Sequence, residues 1–127
     1  MIFNESELNI IVNSDELSIN IAESQDHPEF QITLINILPH KYFEDCRIKD
    51  SINIDADVIA DFVDDWDRAR YIVVYGASDD LTMSKLVHQR LSDMGFINVR
   101  ILLGGMQEWL DDGYPCEGAC KMDYLQD

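Results

Sequence analysis

The segment Gly76–Thr82, reading GASDDLT, gathers the residue types of this 127-residue chain that could do chemistry at closest spacing. Two hydroxyls, Ser78 and Thr82, flank two adjacent carboxylates, Asp79 and Asp80. A serine nucleophile needs a base within hydrogen-bond reach, and the nearest histidine, His88, lies about 10 residues on, roughly 15 Å along a helix. Hydrolase chemistry is therefore disfavoured, and loop and helix-cap hydrogen bonds account for Ser78 and Thr82. Paired carboxylates can hold a cation or share a proton. Beside a helix start they are equally explained by the dipole and by the free N–H groups they cap. Asp64 with Asp65, and Asp111 with Asp112, read as solvated surface charge.

The remaining chemistry-bearing residues are Cys46, Cys116 and Cys120, candidate redox or sulfur-relay positions. Cys116 and Cys120 are spaced C-x3-C, but no further Cys or His pair completes a zinc set, and His27, His40 and His88 form no ligand pattern. We expect no metal and no cofactor, and free core or tail thiols. An odd cysteine count, with an opening MIFNESELNI that lacks basic, apolar leader character, points to the reducing cytoplasm.

Alternating elements must position these residues. Ile10–Val12 is a short strand, and Ser14 is placed to cap a helix running through Leu17 and Ile21. Ile32–Leu38 is a buried apolar strand ended by Pro39, residues 39–45 suit a helical turn, and Ser51–Ile54 returns to strand character. Between Asp55 and Arg70 the spacing of Val58, Ile59, Phe62, Val63 and Trp66 predicts an amphipathic helix with an acidic outer face. Tyr71–Tyr75, YIVVY, has no polar alternation and predicts a central strand covered on both faces. A helix over Thr82–Met94 follows, with Met83, Leu86, Val87, Leu91 and Met94 as its apolar stripe and Gly95 as its stop. A strand over Val99–Leu103 and a final helix carrying Met106, Trp109 and Leu110 complete the pattern. This order implies an α/β fold with a mostly parallel central sheet and helices on both faces. Trp66 and Trp109 are expected in the core. The chain reads as one domain with a core over about 10–118, and 119–127, which has no clear period, reads as a tail.

Charge narrows the partners. Twenty-five acidic against 9 basic residues give a formal net charge of -16. That field repels nucleic-acid phosphates and anionic lipid, so both are excluded as partners, and a basic protein is the natural complement. No apolar run approaches the roughly 20 residues a bilayer span needs. No motif speaks to oligomeric state.

The stretch YIVVYGASDDLTMSKLVHQRLSDMGFINVRILLGGMQEWLDDGYPCEG resembles the second half of a rhodanese-like domain. Gly95, Phe96, Asn98 and Val99 match its G-F-x-N-V strand, Gly104, Gly105 and Trp109 its G-G-x-x-x-W, and Gly113, Tyr114 and Pro115 its G-Y-P. The earlier TLINILPHKYFEDCRIKDSINI is a looser counterpart of L-I-D-V-R and G-H-I-P-G-A-I-N-I. The resemblance covers about residues 10–118. It implies a sulfurtransferase scaffold whose sulfur-carrying cysteine heads the loop after the central strand.

The departures fall on the chemistry. Gly76 occupies the cysteine position, and Leu81 the later position where active members often carry arginine. D-V-R reads Asn36, Ile37, Leu38, and G-H-I-P-G reads Cys46, Arg47, Ile48, Lys49, Asp50. Glycine cannot be a nucleophile, and Asp79 and Asp80 would repel an anionic sulfur donor. We expect no catalytic residue, and instead a partner or ligand loop made of Gly76, Ala77, Ser78, Asp79, Asp80, Leu81 and Thr82 in a binding or regulatory module. The alternative is a sulfurtransferase or sulfur relay working through a cysteine outside that loop. A phosphatase on the same scaffold fails on the same missing nucleophile.

Overall fold

The structure, a computed structural model, describes residues 9–125; most of the opening MIFNESELNI and the last two residues of the expected tail lie outside it. Five parallel strands form one sheet: β1 (Ile11–Val12), β2 (Ile32–Asn36), β4 (Ile52–Asn53), β5 (Tyr71–Tyr75) and β6 (Val99–Leu102), in the order β1-β6-β5-β2-β4. β5 pairs on both edges, Ile72 with Thr33 and Val99, Val74 with Ile35 and Ile101, as its unbroken apolar run requires. Four longer helices are α1 (Ser14–Asp26), α2 (His40–Asp45), α4 (Thr82–Asp93) and α5 (Gly105–Asp111), with a single turn, α3, at Ile59–Phe62.

Successive residues of β5 point to opposite faces. Ile72 and Val74 join Ile35, Ile59, Val63, Val87, Leu91 and Ile101 on the face covered by α3 and α4. Val73 and Tyr75 join Leu17, Leu34, Leu102, Met106 and Trp109 on the face covered by α1 and α5. Trp109 is buried, as expected, while Trp66 is only partly covered, with Arg70 stacked 4.5 Å above its ring.

Several local expectations are corrected. The helix over Asp55–Arg70 is a 3-10 turn at Ala56–Val58 followed by the one turn of α3. Arg68 supplies the reason: its guanidinium donates to the carbonyls of Val63, Asp64 and Trp66 at 3.4, 3.0 and 2.8 Å, acceptors that a continuing helix would have used, and to Met94 O after α4 at 3.0 Å. Clustered aspartates, which prefer turns and caps, weaken the helix further. In α4 the inward stripe is Ser84, Val87 and Leu91, joined by Leu81 just before the helix, whereas Met83 and Leu86 face outward. α1 is capped by Asn13, whose Oδ1 accepts from the Glu16 N–H at 2.8 Å, and Ser14 is its first, buried residue.

The larger correction concerns the cysteines and the tail. A short antiparallel ladder unites β3 (Arg47–Ile48) with β7 (Cys116–Glu117). Beyond it, Cys120 is disulfide-bonded to the buried Cys46, across a sequence separation of 74, leaving Cys116 as the free thiol. Residues 118–124 pack rather than trail. Gly118, at φ +104°, passes so close to Asp45 that a Cβ would lie 2.3 Å from its carbonyl oxygen. Cys120 and Met122 have φ near +52° and +51°, curling successive N–H groups around Asp45. Its carbonyl accepts from Cys120 at 2.7 Å, and its two carboxylate oxygens accept from Lys121 and Met122 at 3.1 and 2.9 Å. Met122 is buried, and the Tyr124 and Tyr42 ring centroids lie 4.2 Å apart.

Candidate functional site

The loop from Gly76 to Leu81 leaves the carboxyl end of β5, the central strand, where ligands bind in open parallel sheets. The first turn of α5 fixes its backbone. The N–H groups of Met106 and Gln107 donate to the carbonyls of Gly76 and Ala77, both at 2.9 Å. Gly105 makes that approach feasible: at φ +60°, a Cβ there would meet Gly76 O at 2.7 Å and Ser78 N at 2.8 Å.

Gly76 itself is under no such demand. Its backbone is outside the left-handed region, and a Cβ would find Ser84 Oγ at 3.8 Å as its nearest neighbour, an ordinary contact. A side chain therefore fits at this position.

The loop forms one wall of a cleft of about 400 Å³. Gly76, Ala77, Ser78, Asp80, Met83 and Ser84 line that wall; Ile37, Leu38 and Pro39, after β2, and Asp55, Ala56 and Asp57, after β4, complete the cleft. Asp80 turns back onto the start of α4: its Oδ1 accepts from the Thr82 hydroxyl at 2.8 Å and from the Thr82 N–H at 3.2 Å, and these bonds hold its carboxyl below the usual range. The N-cap position is Leu81, and the side-chain acceptor for the first helical N–H is Asp80 rather than the hydroxyl of Ser78 or Thr82. Asp55 does the same at the 3-10 turn, accepting from the Asp57 N–H at 3.0 Å. The lining includes three carboxylates and no basic side chain.

Of the seven loop residues singled out by sequence, Gly76, Ala77, Ser78 and Asp80 line the cleft. Asp79 is exposed outside it, Thr82 begins α4, and Leu81 is buried in the core beneath the loop, out of a ligand's reach. The cysteines are elsewhere: Cys46 and Cys120 are bonded on the opposite face of the sheet, and Cys116 lies in β7 with its thiol pKa raised by burial. Sequence reasoning missed Leu38, Pro39, Asp55 and Asp57. The signal lay in the ends of β2 and β4, whose carboxyl termini open on the same edge as that of β5.

A rhodanese-like domain model matches residues 15–112, most of the chain. The chain belongs to the rhodanese-like family. No curated protein matches it. Solved structures of rhodanese-like architecture superpose closely. A Bacillus halodurans protein, 20% identical, has a TM-score of 0.77 over 91% of this chain and 81% of its own. The rhodanese-like domain of an Anabaena sp. protein, 22% identical, has a TM-score of 0.71 over 90% of this chain and 83% of its own. A rhodanese-related protein from Thermoplasma volcanium, 23% identical, has a TM-score of 0.69 over 84% of this chain and 96% of its own. At these identities the likeness is one of fold. Within this fold Gly76 heads the loop after the central strand, on a backbone with room for a side chain. Among the described residues, no helix is long and apolar enough to cross a membrane.

Proposed function

We propose that this rhodanese-like domain is catalytically silent and serves as a protein-binding or regulatory module, with the cleft beside Gly76 as its site and a basic protein segment as its partner. The observation that carries this reading is the composition of the cleft, Asp55, Asp57 and Asp80 without a cation among the lining residues, beside the glycine that the sequence resemblance aligns with the family's nucleophile. An anionic sulfur donor would be repelled there, and a lysine or arginine side chain attracted. Loops braced on a rigid sheet suit recognition. The sulfur-relay alternative is disfavoured at Cys46, which is fully buried, and at Cys116, whose thiol burial keeps protonated; with the Cys46–Cys120 bond open, Cys120 is its remaining candidate.

The reading places the protein in the cytoplasm, where thiol buffers open disulfides. The Cys46–Cys120 bond would be reducible there, and alkylation on lysis should trap three thiols rather than one. Thiosulfate-to-cyanide sulfur transfer tests the central claim. The wild type should yield no thiocyanate above the blank, while Gly76→Cys should fold normally and present a thiol titrating below the free value of about 8.5, above the N-terminus of α4. Turnover by the wild type would refute the silent-module reading.

A further inference from the structure

On the sheet face that carries the cleft, four large apolar side chains are about half exposed. Val58 and Phe62, four residues apart, are 45% and 61% exposed; Met83 and Leu86, three apart on α4, are 49% and 52% exposed. They are not spare core residues, because the inward positions of the same elements are filled by Ala56, Ile59, Val63, Leu81, Val87 and Leu91. The two pairs belong to neighbouring walls. α3 packs on α4, Arg90 Nη1 donates to Ala56 O at 3.1 Å, and Met83 lines the cleft opposite Ala56 and Asp57. Met83 is thus shared between this apolar set and the cleft.

Charge around this face has one dominant sign. Asp55, Asp57 and Asp80 line the cleft, residues 58–65 add Asp61, Asp64 and Asp65, and Asp79 precedes α4, against Lys85 and Arg90 on α4 and Arg68 and Arg70 after α3. Exposed apolar groups with a polar rim mark interaction sites, and apolar residues at one-turn spacing suit a helix laid across them. An acidic rim selects a basic occupant and opposes a second copy of a chain carrying a net charge of -16.

We propose that Val58, Phe62, Met83 and Leu86 dock the apolar side of a basic amphipathic helix from a partner protein, whose cationic flank meets the aspartates of the cleft rim. This deepens the binding-module reading and rests on it. The site so extended recognises a helix rather than an isolated basic side chain.

The test uses the full-length ¹⁵N-labelled chain and a synthetic peptide of leucines and lysines with leucine at i, i+3, i+4 and i+7, beside a scrambled peptide of the same composition. The amphipathic peptide should bind at least about tenfold tighter, shift the amides of residues 57–65 and 82–90, and lose about tenfold in affinity to a Phe62→Ser/Leu86→Ser variant whose melting temperature is unchanged. Equal affinity for both peptides, or for both proteins, overturns the docking face. Shifts confined to residues 76–80 with both peptides overturn it while leaving the binding module intact. Wild-type sulfur transfer defeats the module reading independently. Concentration-dependent dimerisation abolished by Phe62→Ser would make the occupant a second copy and also overturn the proposal.

Discussion

The two faces of the sheet are finished to different degrees. On the face of α1 and α5, Tyr75 accepts a hydrogen bond from the Ile48 N–H at 3.0 Å and pairs with the Ser51 hydroxyl at 2.8 Å. The C-terminal segment closes over Asp45 on that side, and a disulfide fixes the closure. On the face of α3 and α4, the helix expected after β4 stops after one turn, and a cleft and four apolar side chains stay open. The difference separates support from availability. One side fixes the position of β5, and the other presents the loop that β5 runs into.

The largest effect should come from unfastening the closed side. Cys120→Ser removes a cross-link spanning 74 residues, which in the chain-entropy account is worth about 4 kcal/mol. Urea denaturation should report that loss, with a matching loss when the wild type is treated with a dithiol, and amide shifts of residues 76–80 should stay in place. If those loop amides move instead, the two faces are coupled and the contrast fails.

A smaller effect is expected at the cleft. Gly105→Ala forces a left-handed residue and a Cβ into the loop's main-chain atoms, costing about 3 kcal/mol. Here the prediction is spatial as well. Amide exchange should quicken across residues 76–81 and stay slow at the Cys46–Cys120 closure.

The smallest effect is electrostatic. Burial, then the carboxylates of Asp112, Asp15 and Asp79, push the Glu108 pKa up. With the folded value above the unfolded one, protonation lends stability that is fully present below the unfolded value and is lost as pH rises through the folded one. Glu108→Gln should therefore stabilise the fold near pH 7, by no more than about 0.5 kcal/mol after solvent screening, and the gain should vanish near pH 3. Thermal melts at the two values, with Glu23→Gln as a surface-charge control, would expose a reversed sign.

The strand core was legible in sequence because YIVVY and its neighbours obey a rule of burial that depends on little beyond the strand itself. The position of the loop was legible because the apolar run of β5 ends at Tyr75 and the helical spacing resumes at Thr82. The features that escaped were set by distant partners. Arg68 collects carbonyls from two segments and so ends α3, which periodicity at Val58 and Phe62 could not reveal. Asp45 gathers N–H groups more than 70 residues away, and no local pattern in 118–125 announces it. Asp55 and Asp57 became cleft residues only once β4 lay beside β2.

The room around Gly76 also bears on heredity. Glycine and cysteine codons can differ by a single base, and no steric barrier meets a side chain at this position. A thiol at the head of the loop is therefore a short mutational step from the present sequence. A cysteine there would sit beside a rim of aspartates hostile to anionic donors, so that sulfur transfer from such a donor would require a change of charge as well as a change of atom.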